Sequence, residues 1–297
     1  MKKSRREELS FYLFAAPWLF GLLIFFAGPA IASFVLSLTD YNILSSPTYV
    51  GTDNFQFLFH DELFWKSLMN TLYMIVIALP ITLIAQILLA LFVNTERKGI
   101  GVFRTIYYLP YLVPAVATGI LWGMLFNTDF GLLNNVLNWF GIPPQSWLSN
   151  PQLAKPSITI MLLWTTGSGM LIYLAGLKGI PKHLYESAII DGATRRRQFW
   201  HITLPLLSPT IFFNLIMGII GTFQMFTEAY VLTKGGPNYE TTFYMYYLYN
   251  NAFKYFKMGI ASAQAWILFL VILVFTLIVI RISRKWVYYE GEAGNKQ

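Results

Sequence analysis

Polar and aromatic side chains stand at a few positions inside stretches of chain that are otherwise apolar, and these side chains could bind a solute. Glu228 is the one acid inside those stretches, and Gln224 and Thr227 lie within about one helical turn of it. Two earlier stretches contribute aromatic rings and a hydroxyl group, from Trp122, Trp164 and Thr165. Polar groups inside a membrane are costly, which makes them candidates for a solute path. Aromatic platforms with amide and hydroxyl groups suit a sugar, although hydrogen bonding between helices, or for Glu228 a place at the membrane interface, explains them as well.

Side chains that could catalyse a reaction or hold a nucleotide are scattered or missing. His60, His183 and His201 are far apart in the sequence, no nucleophile elbow is present, and the chain has no cysteine. A phosphate-binding P-loop requires a Gly-Lys pair, because its backbone amides cradle the phosphate and its lysine reaches it. That dipeptide occurs nowhere in these 297 residues. We therefore expect no enzymatic activity and no cofactor in this chain, and any ATP that drives it must be bound by another subunit.

The composition is that of a membrane protein. Charged residues make up 12% of the chain and apolar residues 56%, whereas a soluble domain has about 25% charged residues. This excludes a soluble enzyme and a disordered chain. Six gaps between charged residues exceed the roughly 20 apolar residues that a helix needs to cross a membrane, and the first is too long for the apolar core of a signal peptide. The sequence predicts an all-α membrane protein with six transmembrane helices, over about 11–38, 70–93, 105–127, 157–177, 206–231 and 261–281.

Basic residues are unevenly distributed between the two sides of these spans. Sixteen of the 21 Lys and Arg residues fall in the two tails and in the second and fourth loops. Cytoplasmic loops carry such an excess, so both termini are predicted to be cytoplasmic. The net charge of +7 then reflects topology, and a nucleic-acid partner, which requires one contiguous basic face, is not expected. The predicted organisation is a tail over 1–10, one transmembrane domain over 11–285 and a tail over 286–297.

The cytoplasmic loop over 178–205 has a pattern of its own. Pro181 suits the first turn of a helix, apolar residues then recur at helical spacing, and Gly192 can adopt the left-handed conformation that ends a helix. Thr194 can cap a second segment. These residues predict a compact helix–turn–helix. An interfacial amphipathic segment, with Arg195–Arg197 on lipid phosphates, fits the same pattern.

This loop also resembles the EAA loop of ABC importer permeases. The match is carried by Glu-Ser-Ala over 186–188, Asp-Gly-Ala over 191–193, Phe199, and Leu-Pro over 204–205, in the family's order and spacing. The resemblance implies a coupling helix that seats in a cleft of a separate ATP-hydrolysing subunit, which would bind the ATP and Mg²⁺. The residues that it assigns to ATPase coupling are Glu186, Ser187, Ala188, Asp191, Gly192 and Ala193.

Other segments resemble sugar permeases, including 131–134 and the Gly-Gly-Pro segment over 232–237. Their order is similar to that of the upstream, maltose-type first permease subunit in its short form. The resemblance implies the ABC type I importer permease fold in a bacterial or archaeal cell membrane. Its implied partners are a second permease subunit in a heterodimer, two ATP-binding subunits and an extracytoplasmic sugar-binding protein. It puts the saccharide path on the fourth and fifth spans, which favours Trp164, Thr165, Phe223, Gln224, Thr227 and Glu228.

Three other functions fit parts of the pattern. A permease for another polar solute, such as glycerol-3-phosphate, has overlapping motifs, but phosphate favours Arg or Lys, and the fourth and fifth spans have neither between their ends. An ion-coupled carrier needs paired titratable groups in mid-membrane, and Glu228 stands alone there. A membrane-embedded enzyme needs clustered catalytic residues. The sequence therefore favours an importer subunit for carbohydrate, in particular oligosaccharide.

Overall fold

The computed structural model describes the backbone of residues 5–288 and the side chains of residues 10–288. Much of the two predicted tails lies outside the described residues. So do the basic side chains of Lys2, Lys3, Arg5, Arg6 and Lys296. The chain divides into two compact units, residues 1–61 with 248–270, and residues 62–247 with 271–297.

The first unit begins with a long apolar helical stretch, which leads into an antiparallel two-stranded hairpin with Thr39 opposite Tyr49. Asn54 ties these elements together, because its Nδ2 donates hydrogen bonds of 2.8 Å to the carbonyls of Ser37 and Thr39. The amide of Asn54 is buried, so both of its donors are satisfied by backbone rather than by water. The elements of this unit are the helices Arg5–Gly21, Gly28–Ser37 and Asp53–His60, the π-helical segments Leu22–Ala27 and Asn250–Lys254, and the strands Thr39–Asp40 and Thr48–Tyr49.

The second unit holds the larger apolar core. Its main cluster joins the helices Leu79–Val93, Gly167–Gly179 and Leu204–Phe223, with Tyr173 and Leu207 fully buried. The α-helices of this unit are Glu62–Tyr73, Leu79–Val93, Ile100–Leu112, Ala115–Leu125, Leu132–Trp139, Ala154–Trp164, Gly167–Gly179, Lys182–Ile190, Arg195–Gln198 and Leu204–Phe223. Its π-helical segments are Met74–Ala78, Phe199–Thr203 and Ala229–Thr233. The helices Tyr244–Tyr249 and Met258–Ser283 contain residues of both units.

Within the described residues, four continuous helices are long and apolar enough to cross a membrane, and two bent helix pairs would each add a span. The all-α membrane fold is thereby confirmed, with four to six spans according to how the bent pairs are counted. The continuous helices are Ser10–Ser37, Glu62–Val93, Arg195–Phe223 and Met258–Ser283. The bent pairs are Ile100–Leu112 with Ala115–Leu125, and Ala154–Trp164 with Gly167–Gly179.

The predicted third span is sharply bent rather than a single helix. Its two halves, Ile100–Leu112 and Ala115–Leu125, meet at an angle of 97°. The bend falls at Pro114, which has no amide hydrogen to donate and whose ring disfavours helical conformation in the preceding residue. Val113 is accordingly extended, with ψ of 130°. The helix expected over 105–127 is therefore replaced by a bent pair.

Three other prolines widen a helix without interrupting it. Pro29, Pro80 and Pro205 each follow a π-helical segment, with one residue in between. In a regular α-helix the ring of a proline clashes with the carbonyl group four residues earlier. For each of these three prolines, that carbonyl group belongs to the preceding π-helical segment. The wider turn of the π-helix relieves this clash.

Polar residues also mark the bend of the fourth span, at Thr165 and Thr166, and the end of the fifth helix, at Gln224. Ala154–Trp164 and Gly167–Gly179 meet at 52° around Thr165 and Thr166. Both threonine hydroxyls donate to carbonyls three residues earlier, at 3.0 and 2.8 Å, where they compete with the helical amides. The fifth helix stops at Phe223, short of the predicted end of its span.

Candidate functional site

A cavity of about 420 Å³ lies in the second unit, beside the bend of the fourth span and the end of the fifth. Of its sixteen lining residues, one is an acid and none is Lys or Arg. The lining combines hydroxyl, amide and phenol groups with apolar surface, as small-molecule sites commonly do. Its polar and aromatic members are Thr82, Gln86, Tyr111, Thr165, Thr166, Ser168, Thr222, Gln224, Phe226, Thr227 and Glu228.

The amide and the carboxyl group of this cavity are presented by an interruption of helical structure. Gln224 caps the fifth helix, and its N–H donates to the carbonyls of Ile220 and Gly221 at 3.3 and 3.2 Å. The chain resumes helical structure at Thr227, and Glu228 is the N-cap residue of the π-helical segment Ala229–Thr233 that follows. Because helix ends leave backbone groups without intrahelical partners, this turn adds backbone polarity to the wall of the cavity.

Four of the seven hydroxyl groups in the lining donate their hydrogens to the helix backbone. Thr82 and Thr222 donate to carbonyls at 2.8 and 2.7 Å, as do the two threonines at the bend of the fourth span. A hydroxyl oxygen bonded in this way keeps lone pairs for another donor. Gln86 adds a buried Oε1 that has no partner among the described residues, and the carboxyl group of Glu228 offers acceptors in both protonation states. The cavity is therefore rich in acceptors and suits a ligand that carries many hydroxyl donors.

Four of the seven predicted path residues line this cavity. They are Thr165, Gln224, Thr227 and Glu228. Sequence reasoning missed Thr82, Gln86 and Tyr111. Thr82 and Gln86 are four residues apart in an apolar span, a spacing that puts both on one helix face, and this was the available signal.

The three large aromatic residues in the predicted path do not line the cavity. Trp122 and Trp164 pack edge to face, with ring centroids 6.1 Å apart, in a cluster that also contains Phe126. The indole Nε1 of Trp122 is buried and has no hydrogen-bond partner in the part of the chain that the structure describes. Phe223 is fully buried, with its ring 5.4 Å from that of Phe275. These three side chains contribute core packing next to the cavity.

The predicted helix in the loop over 178–205 is present as Lys182–Ile190, here called the loop helix. Gly192 follows it in the left-handed region, with φ of +74°. The amide of Gly192 donates to the carbonyl of Ile189 at 3.0 Å, and that of Ala193 donates to Ala188 at 2.8 Å. This pair of bonds is a Schellman motif. The predicted role of Gly192 as the residue that closes this helix is confirmed.

Side-chain contacts attach the loop helix to the spans that flank it. The hydroxyl groups of Tyr185 and Thr203 are 2.9 Å apart, and Leu184 packs against the main core cluster. Thr194 caps the second segment, as predicted, by accepting a hydrogen bond of 3.4 Å from the amide of Arg197. The loop helix is thus attached to the flanking spans through Leu184 and Tyr185 in its first half.

The predicted coupling residues lie on the outside of this segment. Glu186, Ser187, Asp191 and Gly192 are exposed, and Ala188 and Ala193 are half-buried. Ile189 and Ile190 expose 63% and 86% of their surface beside them. Ala188, Asp191 and Ala193 line a depression of about 290 Å³. Exposed apolar side chains next to acids form a surface suited to contact with another protein.

The loop over residues 234–242, which contains the Gly-Gly-Pro sequence, forms ion pairs and hydrogen bonds with residues at the predicted extracytoplasmic ends of two spans. Glu240 accepts hydrogen bonds from Lys155 at 2.7 Å and from Lys66 at 3.1 Å. The hydrogen bond from Lys155, supported by Lys66, holds the pKa of Glu240 below its usual range. Lys66 and Asn70 also donate to backbone carbonyls of this loop, at 2.6 and 2.7 Å.

A second polar anchor organises the loop that follows the bent third span. Asn134 is buried, and its Nδ2 donates to the carbonyls of Thr128 and Gln145 at 3.1 and 2.9 Å. Its Oδ1 accepts from the amide of Gln145 at 3.0 Å and from Nε1 of Trp147 at 2.8 Å. One amide group therefore fixes the whole turn.

The chain is similar to known membrane transport proteins over most of its length. Residues 86–287 match the family described as binding-protein-dependent transport system inner membrane component. The probable ABC transporter permease protein YesP of Bacillus subtilis (strain 168) is 41% identical over 300 residues, covering 98% of this chain and 97% of that protein. The trehalose/maltose transport system permease protein MalF of Thermococcus litoralis is 34% identical over 288 residues, covering 95% and 96%. A chain in the crystal structure of a bacterial alginate ABC transporter, in complex with an alginate pentasaccharide-bound periplasmic protein, has a TM-score of 0.83 at 27% identity, covering 94% of this chain and 96% of that chain.

Proposed function

This chain belongs to the family of inner membrane components of binding-protein-dependent transport systems, and we propose that it is the permease subunit of an ATP-driven importer for carbohydrate, in particular oligosaccharide. The cavity of about 420 Å³ carries this proposal. Its lining presents hydroxyl, amide and carboxyl acceptors to a ligand, and a sugar offers several hydroxyl donors in return. Relatives named for trehalose/maltose and for alginate transport support the same solute class.

The lining disfavours the alternative solutes. Phosphate groups are recognised by Arg and Lys, and none of the sixteen lining residues is either, which speaks against glycerol-3-phosphate. An ion-coupled carrier would need a relay of carboxyl groups, and Glu228 is the one carboxyl group of the lining.

The proposed assembly contains four kinds of subunit in a bacterial or archaeal cell membrane, with both termini of this chain in the cytoplasm. The chain pairs with a second, homologous permease subunit, so that the cavity forms one side of a shared path. An extracytoplasmic binding protein delivers the sugar, as the complex of the alginate transporter with its periplasmic protein suggests. Two ATP-binding subunits hold the ATP and Mg²⁺, which this chain has no P-loop to bind.

The loop helix is the proposed coupling element. It carries the EAA-like residues on an exposed surface, and it contacts the spans through the hydrogen bond between Tyr185 and Thr203 and through the packing of Leu184 on the main core cluster. Movement of the ATP-binding subunits would therefore shift the fourth and fifth spans, whose bend and end line the cavity. Shifting a two-state equilibrium from 1:99 to 99:1 requires about 5.5 kcal/mol, which a closed and anchored helix can transmit.

The test of the solute is uptake of labelled maltose, lactose and arabinose oligosaccharides by cells that express the complete transporter. Thr227→Val and Gln224→Ala each remove a polar group from the cavity, and we expect each to raise the apparent KM by about 2- to 10-fold, the loss of one hydrogen bond. Thr105→Val is the matched control, because that hydroxyl is exposed and, within the part of the chain that the structure describes, bonds only to the carbonyl of Gly101 in its own helix.

Two results would contradict the proposal. Uptake that glycerol-3-phosphate displaces more strongly than any sugar would assign a phosphorylated solute. Uptake that continues after ATP depletion but stops when the proton gradient collapses would assign an ion-coupled carrier.

The test of coupling is Glu186→Arg, which reverses a charge on the exposed face of the loop helix. We expect normal membrane insertion, with loss of both uptake and stimulated ATP hydrolysis. Glu96→Arg is the control, because Glu96 is also an exposed cytoplasmic acid. Its ion pair with Lys182 contributes little, since the side chain of Lys182 is 83% exposed and that of Glu96 is 90% exposed. Equal losses in the two variants would point to general charge repulsion instead of a coupling contact.

A further inference from the structure

A second cavity, of about 470 Å³, lies where one span ends and the next begins. The helix Glu62–Val93 ends beside it, and the helix Ile100–Leu112 starts there. It is separate from the cavity assigned to sugar, with which it shares no lining residue. We call it the interfacial cavity, and its lining residues are Phe92, Thr95, Arg97, Lys98, Ile100 and Phe103.

One wall of the interfacial cavity is aromatic and open. The rings of Phe92 and Phe103 meet edge to face with centroids 6.5 Å apart, and these side chains expose 61% and 49% of their surface. Both belong to end turns of apolar helices, so they lie at the depth where acyl chains meet headgroups. This wall is placed to contact the upper part of an acyl chain.

A second part of the lining carries uncompensated positive charge. Arg97 and Lys98 are exposed, and neither forms an ion pair with any residue that the structure describes. The adjacent acid, Glu96, is not in the lining and instead pairs with Lys182 at 3.0 Å. Among the described residues, the lining therefore contains no anion that would complement its two cations.

The backbone between the two walls is held in place. Arg104 donates through Nη2 to the carbonyls of Val93 at 2.8 Å and Thr95 at 3.4 Å. Gly99 adopts φ of +87°, a conformation that turns the chain back into the next helix. A cavity whose shape is set beforehand binds its ligand with a smaller entropic cost.

We propose that the interfacial cavity binds one anionic phospholipid, with the phosphate on Arg97 and Lys98 and an acyl chain along Phe92 and Phe103. Basic residues at the end of a transmembrane helix attract anionic headgroups, and the aromatic wall distinguishes a lipid from a free phosphate. An acidic partner protein would satisfy the charges but would leave the aromatic wall in contact with bulk lipid. The proposal is independent of the transported solute.

The experiment is native mass spectrometry of the full-length purified chain, titrated with dioleoyl-phosphatidylglycerol or dioleoyl-phosphatidylcholine. These lipids have the same chains and differ in headgroup charge. We expect one tight phosphatidylglycerol adduct and weaker binding of phosphatidylcholine. The double variant R97Q/K98Q should bind phosphatidylglycerol about 30-fold more weakly, which corresponds to about 1 kcal/mol for each cation.

Two control variants separate the headgroup from the chain. K254Q/K257Q removes the same charge from two exposed lysines on the predicted opposite side of the membrane, and it should retain the tight adduct. Phe92→Ser should weaken both lipids alike, because it changes only the apolar wall. A single symmetric elution peak shows that each variant is folded.

Any of three results would overturn the proposal. R97Q/K98Q could bind phosphatidylglycerol as tightly as the unmodified chain, or K254Q/K257Q could lose as much affinity. Glycerol phosphate could displace the lipid at an equal concentration, which would show a phosphate site. In the complete transporter, the amount of bound phosphatidylglycerol could be the same with and without R97Q/K98Q, which would show that a partner subunit covers the cavity.

Discussion

Gly192 offers the sharpest test of the loop helix, because a substitution there introduces backbone strain without a steric clash. A Cβ added at Gly192 would have no atom within 4 Å, so a larger residue meets no steric obstacle. Its φ of +74° is a left-handed conformation, which costs a residue with a side chain about 1–2 kcal/mol. Asparagine visits this conformation more readily, and β-branched residues least. Substitution should therefore weaken the closure of the loop helix in proportion to backbone strain alone.

We expect coupling to the ATP-binding subunit to be strongest with Gly192 and to weaken progressively in Gly192→Asn, Gly192→Ala and Gly192→Val. At 1.36 kcal/mol for each factor of ten, a strain of about 1–2 kcal/mol corresponds to about 5- to 30-fold. We expect Gly192→Ala near the lower value and Gly192→Val near the upper one. The measurement is the affinity of the ATP-binding subunit for permease complexes in nanodiscs, with stimulated ATP hydrolysis as the second readout.

Gly179→Ala is the matched control for this series. Gly179 ends the helix that precedes the loop, a Cβ there also meets no atom within 4 Å, and its φ is not positive. Alanine is favoured over glycine inside a helix by about 1 kcal/mol, so this variant should couple normally. The reasoning fails if Gly179→Ala loses as much affinity as Gly192→Ala, or if the four residues at position 192 show no order.

Three further predictions concern the anchors that position the site. Because its lysine partners lower the pKa of Glu240, the ionised carboxylate stabilises the fold above its ordinary pKa near 4.5, and this contribution disappears as the pH falls through the lowered value. Glu240→Gln should therefore reduce stability by about 1 kcal/mol at pH 7 and progressively less in acid, measured by thermal unfolding from pH 3 to pH 8. Gly167→Ala should destabilise the fold by about 1–3 kcal/mol, because the added Cβ would clash with the backbone of Tyr107. Gly101→Ala is the control and should not destabilise, because a Cβ there has open space around it. Thermal unfolding of both variants checks this. Asn134→Asp keeps an oxygen that can accept the two hydrogen bonds from Gln145 and Trp147 but loses the amide donors, and we expect a loss of about 2 kcal/mol with a shift in tryptophan fluorescence.

Much of the fold was predictable because membranes impose simple constraints on sequence. A helix in lipid must satisfy its own backbone, so gaps between charges mark the spans, and Ser10–Ser37 and Met258–Ser283 match the first and sixth predictions. The end of the loop helix was equally predictable, because Gly192 is the residue type that its conformation requires. Both inferences rest on local chemistry, which sequence records directly.

The cavity was less predictable because it depends on where helices stop. Hydropathy treats residues 206–231 as one span, yet the helix ends at Phe223 and the next turn presents Gln224 and Glu228 to the cavity. The hydroxyl of Thr165 contributes in the same way, at a bend that the apolar pattern does not reveal. In each case a polar residue that costs free energy in a continuous helix is found where the helix is interrupted. A polar group in an apolar stretch therefore marks two features together, a break in a span and the wall of a solute path.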